Sequence, residues 1–300
     1  MKVNSEGISS SRVYLPKGQA FECLLDFFIE TFPHIDRVEW LTRFSEGLVL
    51  TTDGESVAAQ DPYRPDTHLL YFRRLGREPE IPFTEEIIYQ DDHLLVADKP
   101  HFLPVTPGGL YLQQTLLYRL KKRTGIQTLS PIHRIDRDTA GLVVFSIQPH
   151  ERAAYQNLFR DRAVKKIYEA IAPYDESLAN QLPMTYRSRL EESEHFLQMK
   201  EVPGEPNTDT TIEIIEVQKP WARYRLIPGS GKKHQLRCHL NALNIPIRND
   251  QIYPVLTPYQ EYELDFSKSL QLLAKEIAFI DPVTGQDLFF TSRRALHCSI

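Results

Sequence analysis

Residues 131–147 read PIHRIDRDTAGLVVFSI, a densely charged segment that runs directly into an apolar one. The apolar half, GLVVFSI, carries no charge and is rich in β-branched and aromatic side chains, which is typical of a strand buried on both faces. The charged half places Asp136 within three residues of His133, Arg134 and Arg137. This stretch therefore predicts a buried strand that follows a loop carrying a carboxylate among several cations.

Asp136 is the candidate reactive group of this loop. Cations held close to a carboxylate favour its ionised form and lower its pKa below the ~3.9 of a free aspartate. An ionised and oriented carboxylate can act as a nucleophile. The same spacing also fits a surface loop in which Asp and Arg form exposed ion pairs of little energetic value. The residues alone leave both interpretations open.

Other catalytic motifs fit this sequence less well. The pair Asp136 and Asp138 resembles the start of a Mg²⁺-dependent phosphatase motif, but that motif follows an apolar strand, whereas this pair precedes one. His234 and His239 lie five residues apart, so a helix would turn them away from each other and prevent zinc binding as an i, i+4 pair. The turn Pro107-Gly-Gly109 lacks the Lys-Ser/Thr of a phosphate-binding loop. We therefore expect neither a metal ion nor a cofactor.

Outward from this stretch, strands and helices follow one another without the regular βαβ order of a parallel sheet. The predicted helices cover 115–123, 151–162 and 233–243. The predicted strands cover 87–100 (two strands around an Asp-Asp turn), 141–147, 164–172, 211–217, 221–227, 270–281 and 286–292. This order predicts an α+β fold with a largely antiparallel mixed sheet.

The N-terminal part of the chain has its own helices and strands. Apolar residues at helical spacing predict a helix over 17–32 that ends before Pro33, and a second helix over 36–44. An Asp-Gly turn at 53–54 and a strand at 68–74 follow, and then a Pro- and Glu-rich linker at 76–86. We therefore predict a small α+β domain over 1–80 and a larger domain over 81–300.

Charge is distributed unevenly along the 300 residues. The net charge of −5 argues against a protein that coats nucleic acid or membranes through bulk electrostatics. Residues 118–169, however, hold eleven Lys/Arg against five Asp/Glu, and residues 219–240 hold six Lys/Arg and no acid. A local basic surface can neutralise a phosphate backbone even on an acidic protein.

The cysteine count and the N-terminus bear on the compartment. Three cysteines, Cys23, Cys238 and Cys298, provide no disulfide framework and favour a reducing cytoplasm. The N-terminus lacks the apolar core of a signal peptide, and no stretch approaches the ~20 apolar residues needed to span a bilayer. The sequence therefore predicts a cytoplasmic protein without a membrane partner.

Five motifs in order resemble those of the RluA-type RNA pseudouridine synthases. Residues 133–142, HRIDRDTAGL, are similar to the family signature HRLDRxTSGL. LLVADKP at 94–100 precedes it, and Lys-Ile-Tyr at 166–168 is similar to the family's Lys-x-Tyr. GKKHQLRCHL at 231–240 is similar to GRTHQIRxHL, and the segment 246–253 follows with an aspartate and a tyrosine. The resemblance covers about residues 88–280.

The resemblance implies an enzyme that isomerises a uridine in a loop of ribosomal or transfer RNA to its carbon glycoside, without a cofactor. Asp136 would be the nucleophile, attacking either the ribose or the base. Tyr168 would close over the uracil and help to remove the proton from carbon 5, and Arg237 would keep Asp136 ionised. Because the target base has to be flipped out, Arg134 would fill the vacated space or stack on its neighbours, and His133 would orient the loop. The substrate-binding residues implied by the motifs are His133, Arg134, Arg137, Lys166, Lys232, Lys233, His234, Gln235 and Leu236.

This sequence departs from the family pattern in three places. Lys232-Lys233 replaces Arg-Thr, which retains positive charge but loses bidentate geometry at 232. Asn249 replaces a glycine, and Asn is the residue that best tolerates left-handed backbone after glycine. Ile135 replaces leucine with nearly the same volume. We expect the first departure to affect substrate contacts more than catalysis.

The N-terminal region resembles the small αL RNA-binding module that precedes many catalytic domains of this family. Trp40, Arg43 and the run Gly47-Leu-Val carry the resemblance. Few basic residues accompany them, which predicts a reduced role in RNA binding, and the Phe residues of 21–32 are expected to form the core.

Two alternatives remain beside an active synthase. A non-catalytic RNA-binding or ribosome-assembly protein on the same fold would bind RNA without isomerising it. A Mg²⁺-dependent phosphatase that uses Asp136 and Asp138 would lose activity in a chelator.

Overall fold

The computed structural model describes residues 10–73, 78–195, 197–257 and 265–296. The chain forms two compact units. The first consists of Met1–Pro79 and Pro107–Gln114, and the second of Glu80–Thr106 and Thr115–Ile300. Cys298 and the start of the predicted linker, residues 76–77, lie outside the described residues.

The described elements alternate along the chain as follows. The helices are α1 Leu24–Thr31, α2 Arg37–Ser45, α3 Leu116–Thr124, α4 Arg152–Arg160, α5 Glu176–Ala179 and α6 Gln235–Ala242. The strands are β1 Ser11–Leu15, β2 Val49–Thr51, β3 Thr67–Tyr71, β4 Glu86–Gln90, β5 Leu94–Lys99, β6 Ser130–Pro131, β7 Ala140–Ser146, β8 Lys165–Pro173, β9 Met184–Glu192, β10 Met199–Val202, β11 Thr208–Gln218, β12 Trp221–Pro228, β13 Leu272–Ile280 and β14 Asp287–Thr291.

The first unit packs α1 and α2 against an antiparallel sheet of order β1-β3-β2. Its core is aromatic: Phe28 is fully buried and its ring centroid lies 4.5 Å from that of Trp40. The helix predicted over 17–32 begins only at Leu24. The backbone N–H groups of Leu24 and Leu25 donate to the carbonyls of Asp61 and Ala59, so a contact distant in sequence sets this helix boundary.

The carboxylate of Glu78 holds residues 112–114, which belong to the first unit. Glu78 accepts backbone N–H bonds from Leu112, Gln113 and Gln114, at 2.9 to 3.0 Å. A carboxylate that accepts several backbone N–H groups fixes a loop firmly, because each bond is charge-assisted. No local pattern in the sequence indicates this contact, since its partners lie 34 to 36 residues apart.

The second unit is built on one mixed sheet, as the sequence predicts. The order along the sheet is β10-β9-β11-β12-β8-β13-β7-β5-β4, with β14 beside β13 and β6 beside β7. Within the described residues the pairings are antiparallel except for a short parallel contact between β7 and β13. The prediction of an α+β fold with a largely antiparallel sheet is confirmed.

Strands β9 and β10 are absent from the sequence prediction. Strand β9 has polar or charged side chains at most positions, and only Leu190 is buried. Strand β10 has four residues and lies at the edge of the sheet. Both are held by main-chain pairing to their neighbours, which hydrophobic periodicity does not reveal.

Strand β7 follows the loop of Asp136 and lies between β13 and β5 in this sheet. All seven of its residues are buried, and its first residues run beside β13. Gly141 has a φ of 112°, and a Cβ there would collide with the backbone carbonyl oxygen of Ala274. Only glycine allows the two strands to approach this closely.

Gly141→Ala is expected to lower the free energy of unfolding by about 2–4 kcal/mol, because the added Cβ must displace the backbone of β13. The measurement is urea unfolding followed by circular dichroism. Gly125→Ala is the matched control, because Gly125 also has a positive φ of 76° but has no atom within 4 Å of the added Cβ. It should cost only about 1 kcal/mol from backbone strain. Equal losses in both variants would contradict the close-approach argument.

Within the described residues, no helix combines the length and the apolar character that crossing a membrane requires.

Candidate active site

The second unit contains an open cleft of about 770 Å³. It is lined by the loop before β7, the start of β8, the loop after β12 and the first turn of α6. The twelve residues singled out from the sequence all line it, although they come from segments about 100 residues apart. They are His133, Arg134, Asp136, Arg137, Lys166, Tyr168, Lys232, Lys233, His234, Gln235, Leu236 and Arg237.

Asp136 meets two basic side chains from α6 and the residue before it. Nη1 of Arg237 donates to Oδ2 of Asp136 at 3.2 Å, and Nε2 of His234 lies 3.9 Å from the same oxygen. The side chain of Asp136 is 28% exposed, whereas that of Arg237 is 2% exposed. The carboxylate therefore faces the cleft, and its cation lies behind it.

The charge state of Asp136 results from opposing effects. Burial alone would raise its pKa, but the positive charges of Arg237 and of His234, when that imidazole is protonated, outweigh burial and hold the pKa of Asp136 below the usual range. Burial also lowers the pKa of His234 to about 4, so His234 is neutral at neutral pH. Arg237 is then the cation that keeps Asp136 ionised. An ionised, oriented carboxylate in a cleft is chemically able to act as a nucleophile.

Arg237 is itself held by a second carboxylate, Asp250. Nε and Nη2 of Arg237 donate to the two oxygens of Asp250 at 2.8 and 2.6 Å. The side chain of Asp250 is 1% exposed. The sequence analysis includes this aspartate in a motif but gives it no role. Its pairing with Arg237 spans 13 residues and is visible only in the folded chain.

Lys99 and His101 support the Asp136 loop from behind, and the sequence analysis did not single out either residue. Nζ of the fully buried Lys99 donates to the carbonyls of Pro100 and Arg137, at 3.0 and 2.9 Å. Burial lowers the pKa of Lys99 to about 7. Nδ1 of His101 bonds the carbonyl oxygen of Asp138 at 2.7 Å. Both side chains therefore fix the main chain immediately after Asp136.

His133 and Arg137 are engaged within the loop and its neighbours. The backbone N–H of Val144 donates to Nε2 of His133 at 3.1 Å, and the imidazole stacks on Phe159 with centroids 4.6 Å apart. Burial lowers the pKa of His133 to about 3, so the imidazole stays neutral. Arg137 donates to both carboxylate oxygens of Asp138, at 2.8 and 3.3 Å. Arg134, in contrast, is exposed at the cleft.

Tyr168 reaches the cleft from the middle of β8, where it pairs with Leu226 of β12 and Ala274 of β13. Burial raises the pKa of its hydroxyl, and the negative charge of Asp136 raises it further. The phenol is therefore protonated at neutral pH while Asp136 is ionised.

Gln235 organises the loop between β12 and α6. Its Oε1 accepts from Oγ of Ser230 at 2.7 Å and from the N–H of Lys232 at 3.2 Å. Its Nε2 donates to the carbonyl of Asp209 and to Oγ1 of Thr210, at 2.9 and 3.0 Å. These four bonds use the full capacity of the amide. Leu236 beside it is buried, so both side chains support the loop that presents Lys232 to His234.

His239 is fully buried and belongs to the same network. Its Nδ1 lies 2.9 Å from Oγ1 of Thr210, and its Nε2 lies 2.9 Å from Oγ1 of Thr208. Oγ1 of Thr208 donates to the carbonyl of Ser188, so Nε2 of His239 is the donor toward Thr208. His239 is therefore a structural core residue and turns away from His234. Among the described residues, no group of three or more His, Cys, Asp or Glu side chains is arranged to hold a metal ion.

Basic side chains surround the cleft. Nζ of Lys166 donates to the carbonyl of Ser230 at 3.1 Å, and Nη1 of Arg162 lies 3.7 Å from Oδ1 of Asp209. Burial lowers the pKa of Lys166. Six cationic side chains that line the cleft besides Arg237 and Arg137 are Arg134, Arg160, Arg162, Lys166, Lys232 and Lys233. This surface suits a polyanion.

Several known proteins are similar to this chain in sequence. Residues 93–242, half of the chain, match the family described as RNA pseudouridylate synthase. The dual-specificity RNA pseudouridine synthase RluA of Haemophilus influenzae is 31% identical over 216 residues, which cover 69% of this chain and 92% of that protein. The tRNA pseudouridine synthase C of Pasteurella multocida is 30% identical over 221 residues, covering 68% of this chain and 89% of that protein.

A solved structure agrees at the level of the fold. Human RNA pseudouridylate synthase domain containing 1 superposes with a TM-score of 0.57 at 19% identity, covering 73% of this chain and 86% of that chain. With the family match and the relatives above, the resemblance in the sequence is confirmed: the chain belongs to the RluA-type RNA pseudouridylate synthase family and is an isomerase that acts on RNA.

Proposed function

We propose that this protein isomerises one uridine in a loop of ribosomal or transfer RNA to pseudouridine, with Asp136 as the nucleophile. The observation that carries the proposal is the position of the Asp136 carboxylate, which faces a cleft lined by cations and is backed by the buried Arg237. The cations supply sequence-independent attraction for the RNA backbone, and the carboxylate supplies the reactive group.

The reaction is an internal exchange of bonds. The bond from C1′ of the ribose to N1 of uracil breaks, and a bond from C1′ to C5 forms. The proton on C5 is lost, and N1 gains a proton, so nothing is oxidised and no cofactor is consumed. An ionised Asp136 attacks either C1′ of the ribose or the uracil ring, and both routes require the charged carboxylate.

Tyr168 contributes to the removal of the C5 proton. Its hydroxyl is protonated in the resting protein, because burial and the charge of Asp136 both raise its pKa. Because a protonated phenol cannot accept a proton, the hydroxyl of Tyr168 first gives its proton to N1 as the bond from C1′ to N1 breaks. The resulting phenolate then takes the proton from C5, which restores the phenol and leaves the proton count unchanged.

The target uridine has to leave its stack to reach Asp136. Arg134 is exposed at the cleft beside Asp136, and its guanidinium can stack on the bases next to the vacated position. Lys166, Lys232 and Lys233 also line the cleft and contact the phosphate backbone, whereas His234, beside Asp136, contacts the flipped nucleotide. His133, Arg137, Gln235 and Leu236 hold the loops that carry these groups. A single-stranded loop is the favoured substrate, because an A-form helix hides its base edges.

The N-terminal unit, proposed here as a degenerate αL-type module over 1–80, contributes little to RNA affinity. Residues 10–73 contain six Lys/Arg and ten Asp/Glu, so this region repels a phosphate backbone. We assign the catalytic domain to 81–300. The thiols of Cys23 and Cys238 are free, which supports a reducing cytoplasm as the compartment.

The direct test incubates the purified protein with total RNA from cells that lack the gene and measures pseudouridine in the digested RNA. We expect pseudouridine to increase, with the same yield when a chelator is added after the RNA has folded. RNA binding without any isomerisation would favour the non-catalytic alternative. Phosphate release that a chelator abolishes would favour the phosphatase.

The ionisation of Asp136 predicts a shift in the pH dependence of the reaction. In the wild type, the acidic decline of kcat that reports this carboxylate is expected below the ~3.9 of a free aspartate, because the folded pKa is lowered. Arg237→Met removes the permanent cation and leaves burial, which raises the pKa of Asp136, so the decline should move to higher pH. The measurement is the pH dependence of single-turnover rates, with circular dichroism to confirm folding.

Arg225→Met is the matched control for this shift. Arg225 is 46% exposed and pairs with Glu213 on the sheet surface, outside the cleft lining. Its removal should leave the acidic decline where it lies in the wild type. An identical decline in the Arg237 and Arg225 variants would contradict the role given to Arg237.

A further inference from the structure

We propose that Asp250 is a positioning residue for this reaction, which acts by holding the guanidinium of Arg237 so that Nη1 stays on the carboxylate of Asp136. The inference rests on the proposed function and adds to it a residue that does not face the substrate. Asp250 is not part of the cleft lining, so any effect it has on the reaction must pass through another group.

The geometry of the guanidinium depends on Asp250. Asp250 takes the Nε and Nη2 edge in two short hydrogen bonds of 2.8 and 2.6 Å, and this fixes the plane of the group. Nη1 is then directed at Asp136, at the longer distance of 3.2 Å. The ammonium of a lysine has no planar edge that could bind one carboxylate at two points and leave another N–H for Asp136. This arrangement therefore requires the planar guanidinium of arginine.

Asp250 is itself held in place by the turn in which it lies. Its Oδ1 accepts the backbone N–H groups of Ile252 and Tyr253, at 2.8 and 3.1 Å. Asn249 before it has a φ of 63°, and Nδ2 of Asn249 donates to the carbonyl of Ser269. The hydroxyl of Tyr253 lies 3.2 Å from Nδ1 of His234, the other group beside Asp136. The turn 249–253 therefore supports both basic groups that face the nucleophile.

The charges of Arg237, Asp136 and Asp250 also favour this role. One guanidinium faces two carboxylates, so the three side chains together carry one negative charge. The shorter pair of bonds neutralises Arg237 at Asp250, where both groups are buried. Asp136 receives only one longer bond, which favours its ionised form without tying up both of its oxygens. Without Asp250, Arg237 would be drawn fully onto Asp136 or would lose its position.

A double-mutant cycle tests whether Asp250 acts through Arg237. The variants are Asp250→Asn, Arg237→Met and the double variant, and the readouts are kcat and KM for pseudouridine formation. Asp250→Asn alone should lower kcat about 10- to 100-fold with KM changed less than about 3-fold, because a small displacement of a reacting geometry is costly. In the Arg237→Met background the same change should alter kcat less than about 2-fold.

Thermal unfolding of the same variants provides a second readout that does not need activity. Arg237→Met leaves the carboxylate of Asp250 buried without its cation, so its midpoint should fall below that of the wild type. Adding Asp250→Asn removes that unpaired charge, and the midpoint should rise again. If Asp250 acted only through its hydrogen bonds to the turn 250–253, Asp250→Asn would lower the unfolding midpoint by the same amount with and without Arg237→Met.

Asp281→Asn is the matched control for burial and turn geometry. Asp281 is 1% exposed, accepts the N–H groups of Val283 and Thr284 and binds the hydroxyl of Tyr155, but it does not line the cleft. This variant should lower the unfolding midpoint and leave kcat within about 2-fold of the wild type. The comparison therefore separates the effect of losing any buried carboxylate from the effect of displacing the guanidinium of Arg237.

Three results would overturn the proposal. The first is an unchanged kcat in Asp250→Asn, and the second is an equal fall in kcat when Asp250→Asn is made in the wild type and in Arg237→Met. The third is a fall in kcat in Asp281→Asn as large as that in Asp250→Asn. If Asp250→Asn fails to fold, Asp250→Glu serves instead, since it keeps the charge and moves the carboxylate by one methylene; a wild-type kcat there would also overturn it. Absence of pseudouridine formation by the wild type in the same assay would refute the proposed function itself, and so the two failures are distinguishable.

Discussion

Asp136→Asn is expected to abolish pseudouridine formation, with a fall in kcat of at least about 10⁴-fold, because an amide cannot replace the ionised carboxylate as nucleophile. Asparagine is nearly isosteric, so folding should persist, and the hydrogen bond from Arg237 can still reach the amide oxygen. RNA affinity should stay unchanged or increase slightly, because the substitution removes a negative charge from a cleft that binds phosphates. The measurements are single-turnover isomerisation and RNA binding at one fixed salt concentration.

Asp161→Asn is the control for the loss of a carboxylate near the basic surface. Asp161 is exposed, pairs with Arg160 and is not part of the cleft lining. Activity in this variant should equal that of the wild type. Substantial isomerisation by Asp136→Asn, or an equal loss in both variants, would contradict the role of Asp136.

Tyr168→Phe is expected to lower kcat by about 10²- to 10⁴-fold, the range in which a positioned acid or base contributes to a reaction. The ring remains in place, so packing against the sheet and the KM for RNA should change little. Steady-state kinetics on one RNA substrate would separate the two parameters. An increase in KM with kcat retained would show that the hydroxyl only binds the substrate.

Tyr224→Phe serves as the control on the neighbouring strand β12. Its hydroxyl donates to the carbonyl of Pro173 at 2.8 Å and does not line the cleft. Loss of this bond should cost about 1 kcal/mol of stability and leave kcat intact. A similar fall in kcat for both tyrosine variants would point to a general loss of structure.

Much of the fold follows from local periodicity, and the exceptions have physical causes. The apolar run of β7 and the alternating strand β12 bury side chains in the pattern that the sequence predicts, whereas the alternation of β11 is interrupted by a bulge between Ile214 and Glu216. Strand β9 is largely polar and depends on main-chain pairing with β11. The start of α1 at Leu24 depends on carbonyls at 59 and 61. In both places a contact distant in sequence decides the structure.

The candidate site also contains residues that the sequence predicts and residues that only the folded chain reveals. Residues within short motifs, such as Asp136, Tyr168 and Arg237, can be selected from the sequence because the proposed chemistry needs those side-chain types. Lys99 and Asp250 act on backbone carbonyls and on another side chain, at separations of 38 and 13 residues. Their effect is on position, and a sequence pattern carries no distances. The charge distribution is partly predictable, because the net value of −5 conceals two basic segments, parts of which line the cleft.

The most direct measurement of the central claim is a transcriptome-wide map of pseudouridine in cells that lack the gene. The map should be compared after restoring either the wild-type gene or the Asp136→Asn gene at equal protein levels. We predict that one or more positions in ribosomal or transfer RNA lose pseudouridine on deletion and regain it only with the wild type. Identical maps in all strains, or recovery with Asp136→Asn, would contradict the account.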